Sequence, residues 1–131
     1  YWKGTIKPGI SDALVSQLDL LSSIATLVGS TEKGKDSENL LDTFLGKSNI
    51  GRKEVILEAT SRTAFRKGDW AMIPPYKGRR VNTWVNIELG NDSIYQLYHL
   101  KTDIEQQINL AQSRPEILTE MITAYERILE Q

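Results

Sequence analysis

The chain lacks cysteine and carries a single histidine among its 131 residues. Without thiols it can form no disulfide bond, no thiolate metal site and no cysteine nucleophile. His99 falls inside a predicted strand, where a packed or rim position explains it better than a metal ligand or a general base. HExxH, Gly-rich phosphate-loop and GxSxG motifs are absent as well. The residues alone therefore indicate no catalytic site.

Strong net charge and long apolar runs are also missing. The formal net charge is −1, which gives no electrostatic footprint for nucleic acid or an anionic membrane. No apolar run approaches the roughly 18 residues that suggest a membrane-spanning helix. No targeting segment is visible, and the opening Tyr1-Trp2 looks like the interior of a strand. We therefore expect the chain to be a fragment of a longer protein.

What is present describes an ordinary globular protein. Hydrophobic residues make up 40% of the chain and charged residues 25%, enough apolar material for one compact core. No internal repeat, low-complexity stretch or linker divides the chain. We therefore predict a single domain over residues 1–131.

The first third of the chain predicts helices. Residues 11–29 place apolar side chains at steps of three and four, which favours one amphipathic helix. Ser16 can cap its start with Asp19 in the first turn, and Gly29 can end it. Residues 39–46 predict one or two further helical turns. The apolar face of the first helix comprises Leu14, Leu18, Leu20, Leu21, Ile24, Ala25, Leu27 and Val28.

Strands follow in the middle of the chain. Residues 54–59 are β-rich and mostly apolar, which predicts a central strand covered on both faces. Arg62–Pro75 predicts a hairpin, and Gly68 suits the first central position of a type II′ turn. Residues 81–86 alternate like an edge strand, and residues 93–100 predict another strand.

Two helix starts are predicted near the end of the chain. Asp103 with Gln106 can form a capping box, as can Ser113 with Glu116, and Pro115 suits a first helical turn. The last helix needs a sheet to cover its apolar side, so we predict an α+β fold: about four antiparallel strands with helices packed on one face. That apolar side comprises Ile117, Leu118, Met121, Ile122, Tyr125, Ile128 and Leu129.

One irregular stretch combines basic and aromatic side chains. Tyr76, Lys77, Arg79, Arg80 and Trp84 lie within nine residues of sequence. Arg and Lys side chains suit sulfate or phosphate oxygens, and flat rings suit sugar faces. The alternative interpretation is a solvated surface loop.

Carboxylates give no comparable signal. Asp36, Glu38 and Asp42 lack the alternating spacing and the glycine of a calcium loop, so capping and solvation explain them better. Trp70 in the hairpin is predicted to belong to the core, because large aromatic rings dominate small cores.

Five stretches, read in order, resemble the C-terminal end of arylsulfatase-type sulfatases of the alkaline-phosphatase-like superfamily. "YWKGTIKPG" resembles W-P-G-x-I-x-P-G, and "SDALVSQLDLLSSIATLVG" is similar to the helix that follows it. "NLLDTFLG" resembles G-x-S-L-L-P-L-L-x-G, and "TAFRKGDWAMI" resembles R-x-G-x-W-K-Y-I. "YQLYHLKTDIEQQINLA" is similar to x-E-L-Y-D-L-x-x-D-P-x-E-x-x-N-L-A. Together these stretches cover nearly the whole chain.

The sequence departs from this pattern at four positions. Lys3 and Ile104 stand where proline is usual, Gln106 replaces a glutamate, and His99 replaces Asp or Asn. None of these departures touches catalysis. A glutamine can still close the capping box that begins at Asp103.

The resemblance implies that the full-length protein is a sulfuric ester hydrolase. The family uses a formylglycine made from a Cys or Ser in a C/S-x-P-x-R motif, and a calcium ion held by Asp and Asn residues. Those groups lie in a larger N-terminal catalytic domain. The resemblance therefore implies no catalytic residue, metal ligand or cofactor in this segment, which we expect to be inactive alone. Many bacterial members are exported, which implies a periplasmic or secreted protein.

The expected partners are the chain's own N-terminal catalytic domain and a sulfated small molecule or glycan. The resemblance implies that loops of the small sheet face the mouth of the active-site pocket. Tyr76, Lys77, Arg79, Arg80 and Trp84 are therefore predicted to shape a substrate subsite. Without the catalytic domain the segment should expose an apolar patch, which favours dimers of the isolated piece.

Two alternatives stay open. A related phosphatase or phosphodiesterase on the same scaffold would carry a lone Thr or Ser nucleophile upstream of this segment. A free-standing α+β interaction module would instead have a polar surface around Tyr1-Trp2 and no apolar patch.

Overall fold

A computed structural model of the chain describes residues 2–59 and 62–130. The chain divides into two compact units, Tyr1–Lys53 (unit 1) and Glu54–Gln131 (unit 2). The prediction of a single domain stays a prediction. Unit 1 contains α1 (Asp19–Leu27) and α2 (Leu41–Phe44); unit 2 contains β1 (Glu54–Ala59), β2 (Arg62–Lys67), β3 (Trp70–Ile73), β4 (Val81–Asn82), β5 (Ile87–Glu88), β6 (Gln96–His99) and α3 (Pro115–Leu129).

Unit 2 is built on a four-stranded antiparallel sheet in the order β1-β2-β3-β6. The predicted α+β fold is confirmed, with the C-terminal helix packed on this sheet. The predicted hairpin is β2–β3, in which Lys67 pairs with Trp70 across a two-residue turn. Gly68 has φ +56° and Asp69 is not among the positive-φ residues, which agrees with the predicted type II′ turn.

β1 lies at an edge of this sheet, so its prediction as a central strand was wrong. Val55 is buried, but Leu57 is 54% exposed. A short apolar run cannot by itself tell an edge strand from a central one, because periodicity does not record how many neighbours pair with the strand.

The core of unit 2 is apolar and lies between the sheet and α3. Phe65, Met72 and Leu97 have no solvent exposure and belong to one buried cluster with Met121 of α3. The predicted apolar side of α3 packs on this core except for Leu129, which is exposed. Trp70 is half-buried against the core, as expected for a hairpin aromatic.

The segment between β6 and α3 forms turns instead of the helix predicted at Asp103. The Asp103 carboxylate accepts hydrogen bonds from the backbone N–H groups of Gln107 and Ile108, at 3.0 and 2.9 Å. These bonds lower the pKa of Asp103. Asn109 then covers the outer edge of β6: its Oδ1 accepts the Leu97 N–H at 3.0 Å. These short-range hydrogen bonds from Asp and Asn side chains to the backbone compete with the hydrogen bonds of a helix.

α3 begins at Pro115, as predicted, and the missing N–H of proline costs nothing at that position. The predicted box of Ser113 and Glu116 does not form, because the Ser113 hydroxyl donates to the Leu110 carbonyl. Near its C-terminal end, α3 is joined to β1 by an ion pair between Arg127 and Glu54.

Unit 1 contains less helix than the sequence predicts, since α1 spans only Asp19–Leu27. Tyr1 lies outside the described residues, and Trp2 opens a turn rather than a strand, its carbonyl accepting the Ile6 N–H at 2.9 Å. α1 starts at Asp19, because the chain before it is bound to a later segment: Arg52 N–H donates to the Leu14 carbonyl at 2.7 Å. The neighbouring Gly51 permits this approach, since a Cβ there would lie 2.3 Å from the Leu14 oxygen.

The buried face of α1 is the reverse of the predicted one. Asp19, Ser22, Ser23 and Ala25 are buried, whereas most of the predicted apolar face is exposed. The predicted ends of both helices are confirmed: Gly29 and Gly46, with φ +76° and +69°, follow α1 and α2.

Candidate functional site

The basic and aromatic stretch forms a projecting hairpin, which we call the arm (residues 77–90). Its two short strands are β4 and β5, joined by the pairs Val81–Glu88 and Asn82–Ile87. One further bond, from Leu89 N–H to the Arg80 carbonyl at 2.7 Å, closes the hairpin. The third strand predicted at residues 81–86 therefore exists only in part, and it joins this separate two-stranded sheet.

The tip of the arm presents an indole ring to solvent. Trp84 is 93% exposed. The turn beneath it is held by Asn82, whose Oδ1 accepts the Trp84 N–H at 3.1 Å, and by Asn86, which adopts φ +51°. An aromatic ring this exposed gives no stability to its own unit, so it is available to stack on a flat ligand such as a sugar ring.

The root of the arm is held by a buried amide, Asn91. Its Nδ2 donates to the Arg79 carbonyl at 2.7 Å, and its Oδ1 accepts from Arg62 Nε at 2.6 Å. Gly78 passes close by with φ +134°, and a Cβ there would lie 3.0 Å from the Asn91 Nδ2. Asn91 is 2% exposed, so its hydrogen bonds fix where the arm leaves the sheet.

Tyr76 serves as an anchor at this root. Its hydroxyl accepts the Thr63 N–H at 2.7 Å and shares a 2.8 Å hydrogen bond with the Thr63 hydroxyl. The Thr63 hydroxyl also contacts the Tyr125 hydroxyl at 2.7 Å. Arg62 lies over the Tyr76 ring, 6.0 Å from its centroid. This side chain therefore ties the start of the arm to β2 and α3.

The remaining predicted site residues are exposed along the arm. Lys77, Arg79, Arg80 and Trp84 all face solvent. Arg80 Nε lies 3.9 Å from Glu88 Oε1, a loose surface pair that leaves the guanidinium accessible. The structure thus places three cations and an indole on one projecting element. Their predicted role in substrate binding stays a prediction.

The possible metal ligands of the described residues do not come together in one cluster. Residues 2–59 and 62–130 contain no group of three or more His, Cys, Asp or Glu side chains able to hold a metal ion. The His99 ring lies tilted by 58° against the Trp70 ring, with centroids 4.6 Å apart, and its Nδ1 contacts the Thr102 hydroxyl at 2.9 Å. The described residues therefore do not fit a calcium site.

A buried ion pair organises unit 1, and sequence reasoning missed it. Arg52 Nε donates to both carboxylate oxygens of Asp19 at 2.8 Å, across 33 residues of sequence. Backbone N–H groups of Ser16 and Glu38 donate to the same carboxylate. Burial alone would raise the pKa of Asp19, but these hydrogen bonds outweigh it and the pKa is lowered. The pKa of Arg52 is raised, chiefly by its hydrogen bond to Asp19.

None of the helices described within residues 2–59 and 62–130 is long and apolar enough to cross a membrane. A half-open pocket of about 370 Å³ lies beside α3, lined in part by Pro75, Tyr95 and Leu118, and it contains no charged lining residue.

Comparison with known proteins identifies relatives of the whole chain. No family model matches. The chain is 33% identical, over 131 residues, to the N-acetylgalactosamine-6-O-sulfatase of Bacteroides thetaiotaomicron, and the match covers 97% of this chain and 26% of that protein. A solved structure from work on the metabolism of multiple glycosaminoglycans by Bacteroides thetaiotaomicron superimposes with a TM-score of 0.91 and 31% identity, covering 99% of this chain and 28% of that chain.

A crystal structure of Ps i-CgsB superimposes with a TM-score of 0.68 and 20% identity, covering 97% of this chain and 27% of that chain. At this identity the likeness shows the fold alone. The chain thus spans about a quarter of the length of the relatives it matches.

Proposed function

We propose, from the homology of this chain to the C-terminal part of a bacterial N-acetylgalactosamine-6-O-sulfatase, that it is the C-terminal part of an enzyme that hydrolyses sulfate esters. The homology confirms the resemblance found in the sequence. The observation that carries the proposal is 33% identity across 97% of the chain, since a shared fold alone would not specify an activity.

The proposed substrate is a sulfated amino sugar of the glycosaminoglycan type. The curated relative is named for N-acetylgalactosamine 6-sulfate, and the arm offers the groups that such a substrate would need. Its guanidinium groups can pair with sulfate oxygens in a forked geometry, and the exposed indole can stack on a sugar ring.

We assign the chemical step of the reaction to the part of the enzyme that lies outside this chain. Formylglycine and calcium, which supply the nucleophile and bind the sulfate in sulfatases, would belong to the part of the enzyme outside this chain. This chain would provide the sheet, α3 and the arm, whose root is fixed by Asn91. Its contribution would be to orient the substrate, which lowers the entropic cost of reaching the reactive geometry.

The direct test is sulfate release by the full-length protein. We expect inorganic sulfate from N-acetylgalactosamine 6-sulfate, measured by ion chromatography. The matched control is the 6-phosphate of the same sugar, which tests the phosphatase alternative. Release of phosphate without sulfate would reject the proposal in favour of that alternative, and no release from either ester would also count against it.

The role of the arm is tested by the double variant Arg79→Ala/Arg80→Ala in the same protein. We expect kcat/KM for the sulfated sugar to fall by about tenfold or more, a loss of about 1.4 kcal/mol of transition-state binding. Lys101→Ala, an exposed cation outside the arm, is the control and should leave kcat/KM unchanged. A change of less than about twofold in the double variant, for every sulfated substrate tried, would reject the subsite.

We also propose that the protein is periplasmic or secreted, as its resemblance to arylsulfatase-type sulfatases implies. Cell fractionation of the native host, followed by detection of the protein with an antibody, tests this. Recovery with the cytoplasmic fraction alone would contradict it.

A further inference from the structure

Both strands of the arm are held at their base by side-chain amides of unit 2. Asn91 Nδ2 donates to the Arg79 carbonyl at 2.7 Å, on the outgoing side of the arm. Gln96 Nε2 donates to the Gly90 carbonyl at 2.8 Å, on the returning side. Asn91 is 2% exposed and Gln96 is 5% exposed. The arm is therefore attached at both ends by buried donors, whose hydrogen bonds water cannot readily replace.

The neighbours of each amide determine which of its two ends faces which partner. A guanidinium group only donates hydrogen bonds, and a backbone carbonyl only accepts them. Arg62 Nε donates to Asn91 Oδ1 at 2.6 Å, so the Asn91 Nδ2 is left for the Arg79 carbonyl. The Tyr98 hydroxyl donates to Gln96 Oε1 at 2.8 Å, and burial raises the pKa of Tyr98, which favours the protonated donor. Position 91 thus requires one acceptor and one donor, which an amide supplies and a carboxylate does not.

The segment that Asn91 holds carries two arginines of the predicted subsite. The Arg79 carbonyl is bonded to Asn91, and the Arg80 carbonyl accepts the Leu89 N–H at 2.7 Å. Gly78 passes the amide with φ +134°, and a Cβ there would lie 3.0 Å from the Asn91 Nδ2. The backbone of both arginines is therefore fixed, while their side chains are exposed.

We propose that Asn91 is a positioning residue of the substrate subsite: its amide sets where Arg79 and Arg80 are presented to the sulfated substrate. The proposal rests on the proposed function and adds to it a buried residue that does not touch the substrate. Because the backbone of the arginines is already fixed, the substrate has less of the arm to order when it binds. The effect of Asn91 on turnover therefore passes through the two arginines.

Asn91→Asp isolates the contact with the arm. The two side chains have the same shape, and a carboxylate still accepts from Arg62. It cannot donate to the Arg79 carbonyl, and it places an oxygen there instead. Asn109→Asp is the matched control, because the Asn109 Nδ2 donates at 3.1 Å to the Tyr95 carbonyl, which lies outside the arm. Each variant loses one amide donor, but only the first loses it at the arm.

Sulfate release from N-acetylgalactosamine 6-sulfate is measured with the full-length protein. We expect kcat/KM to fall by about fivefold or more in Asn91→Asp and to change by less than about twofold in Asn109→Asp. In the Arg79→Ala/Arg80→Ala background, Asn91→Asp should have no further effect, because the groups that it positions are gone. An equal loss in both backgrounds would show a purely structural role and overturn the proposal. An unchanged kcat/KM in Asn91→Asp alone would overturn it too.

Hydrogen exchange of the arm gives a readout that does not depend on activity. Exchange in residues 77–90, followed by mass spectrometry, should become faster in Asn91→Asp but not in Asn109→Asp, while the β2–β3 hairpin stays unchanged in both. Faster exchange of the arm in a protein that releases no sulfate would support the anchoring and reject the proposed function. Unchanged exchange would overturn the anchoring and leave the function standing. If Asn91→Asp does not fold, Gly78→Ala disturbs the same contact from the other side and should give the same pattern.

Discussion

Units 1 and 2 differ in what they bury. The interior of unit 2 is built from Phe65, Met72 and Leu97, which have no solvent exposure. In unit 1 the least exposed residues include Asp19, Ser22 and Ser23, and the leucines of the same helix face outward. The interior of unit 2 is therefore apolar, whereas the buried side of α1 in unit 1 is mostly polar.

The difference shows which unit can form a conventional core alone. Burial of a large apolar side chain contributes about 1.5–3 kcal/mol, so the core of unit 2 supplies its own driving force. A buried hydrogen bond contributes only about 1 kcal/mol net, while a broken one is costly. Unit 1 thus gains specificity from its polar interior, while the leucines of α1 stay on its surface.

The largest expected effect tests the apolar interior of unit 2. Phe65→Ala removes a fully buried ring beside Met72 and Tyr125, and it should destabilise the chain by about 3–5 kcal/mol. Urea unfolding followed by circular dichroism measures the change. Leu57→Ala, at a half-exposed position on β1, is the control and should cost much less. Equal losses would show that the core is not where the structure places it.

The second prediction breaks the polar interior of unit 1. Arg52→Met leaves the Asp19 charge buried and unpaired, which should cost about 3 kcal/mol. Lys53→Met, at the exposed neighbouring position, is the control. Hydrogen exchange of the α1 peptide should rise in the first variant only. If adding Asp19→Leu to Arg52→Met gave no recovery, the uncompensated charge would not be the cause.

The third prediction uses pH to separate the two interiors. The pKa of Asp19 is lowered in the folded state, so its contribution to stability is present above the unfolded value near 3.8 and is lost as pH falls through the folded value. The urea midpoint should therefore drop below about pH 4. This drop should be smaller in Asp19→Asn. An identical pH dependence in both proteins would contradict the assignment.

The smallest expected effect sharpens the claim that the leucines of unit 1 face solvent. In the 131-residue chain, Leu21→Gln should change the free energy of unfolding by less than about 0.5 kcal/mol, because Leu21 is 59% exposed. Its effect on stability should be much smaller than that of Phe65→Ala in the same urea titration. A loss above about 2 kcal/mol, typical of a core leucine, would show that Leu21 is buried within the chain.

Local signals predicted unit 2 well and unit 1 poorly. Gly68 and Pro115 act within a few residues of themselves, so the β2–β3 hairpin and the start of α3 could be read from the sequence. The Asp19–Arg52 pair joins positions 33 residues apart, which no short pattern records. Periodicity identified an apolar side of α1 correctly, but it does not say which surface covers that side.

The candidate site was also predicted only in part, because some of its residues form a local cluster and others depend on contacts between distant positions. The cations and aromatic rings of the arm are visible as a local cluster, and the structure brings them onto one hairpin. Asn91 was missed because Gly90-Asn91-Asp92 has the composition of an exposed turn. Its burial depends on Arg62, which lies 29 residues earlier in the chain.

We propose that this chain is the C-terminal part of a sulfatase whose catalytic groups lie outside it. The most direct measurement compares sulfate release from N-acetylgalactosamine 6-sulfate by the full-length protein and by the 131-residue chain, at equal molar concentration. We expect steady release by the full-length protein and none above the enzyme-free rate by the chain alone. Turnover by the isolated chain would contradict it, as would a full-length protein that releases no sulfate.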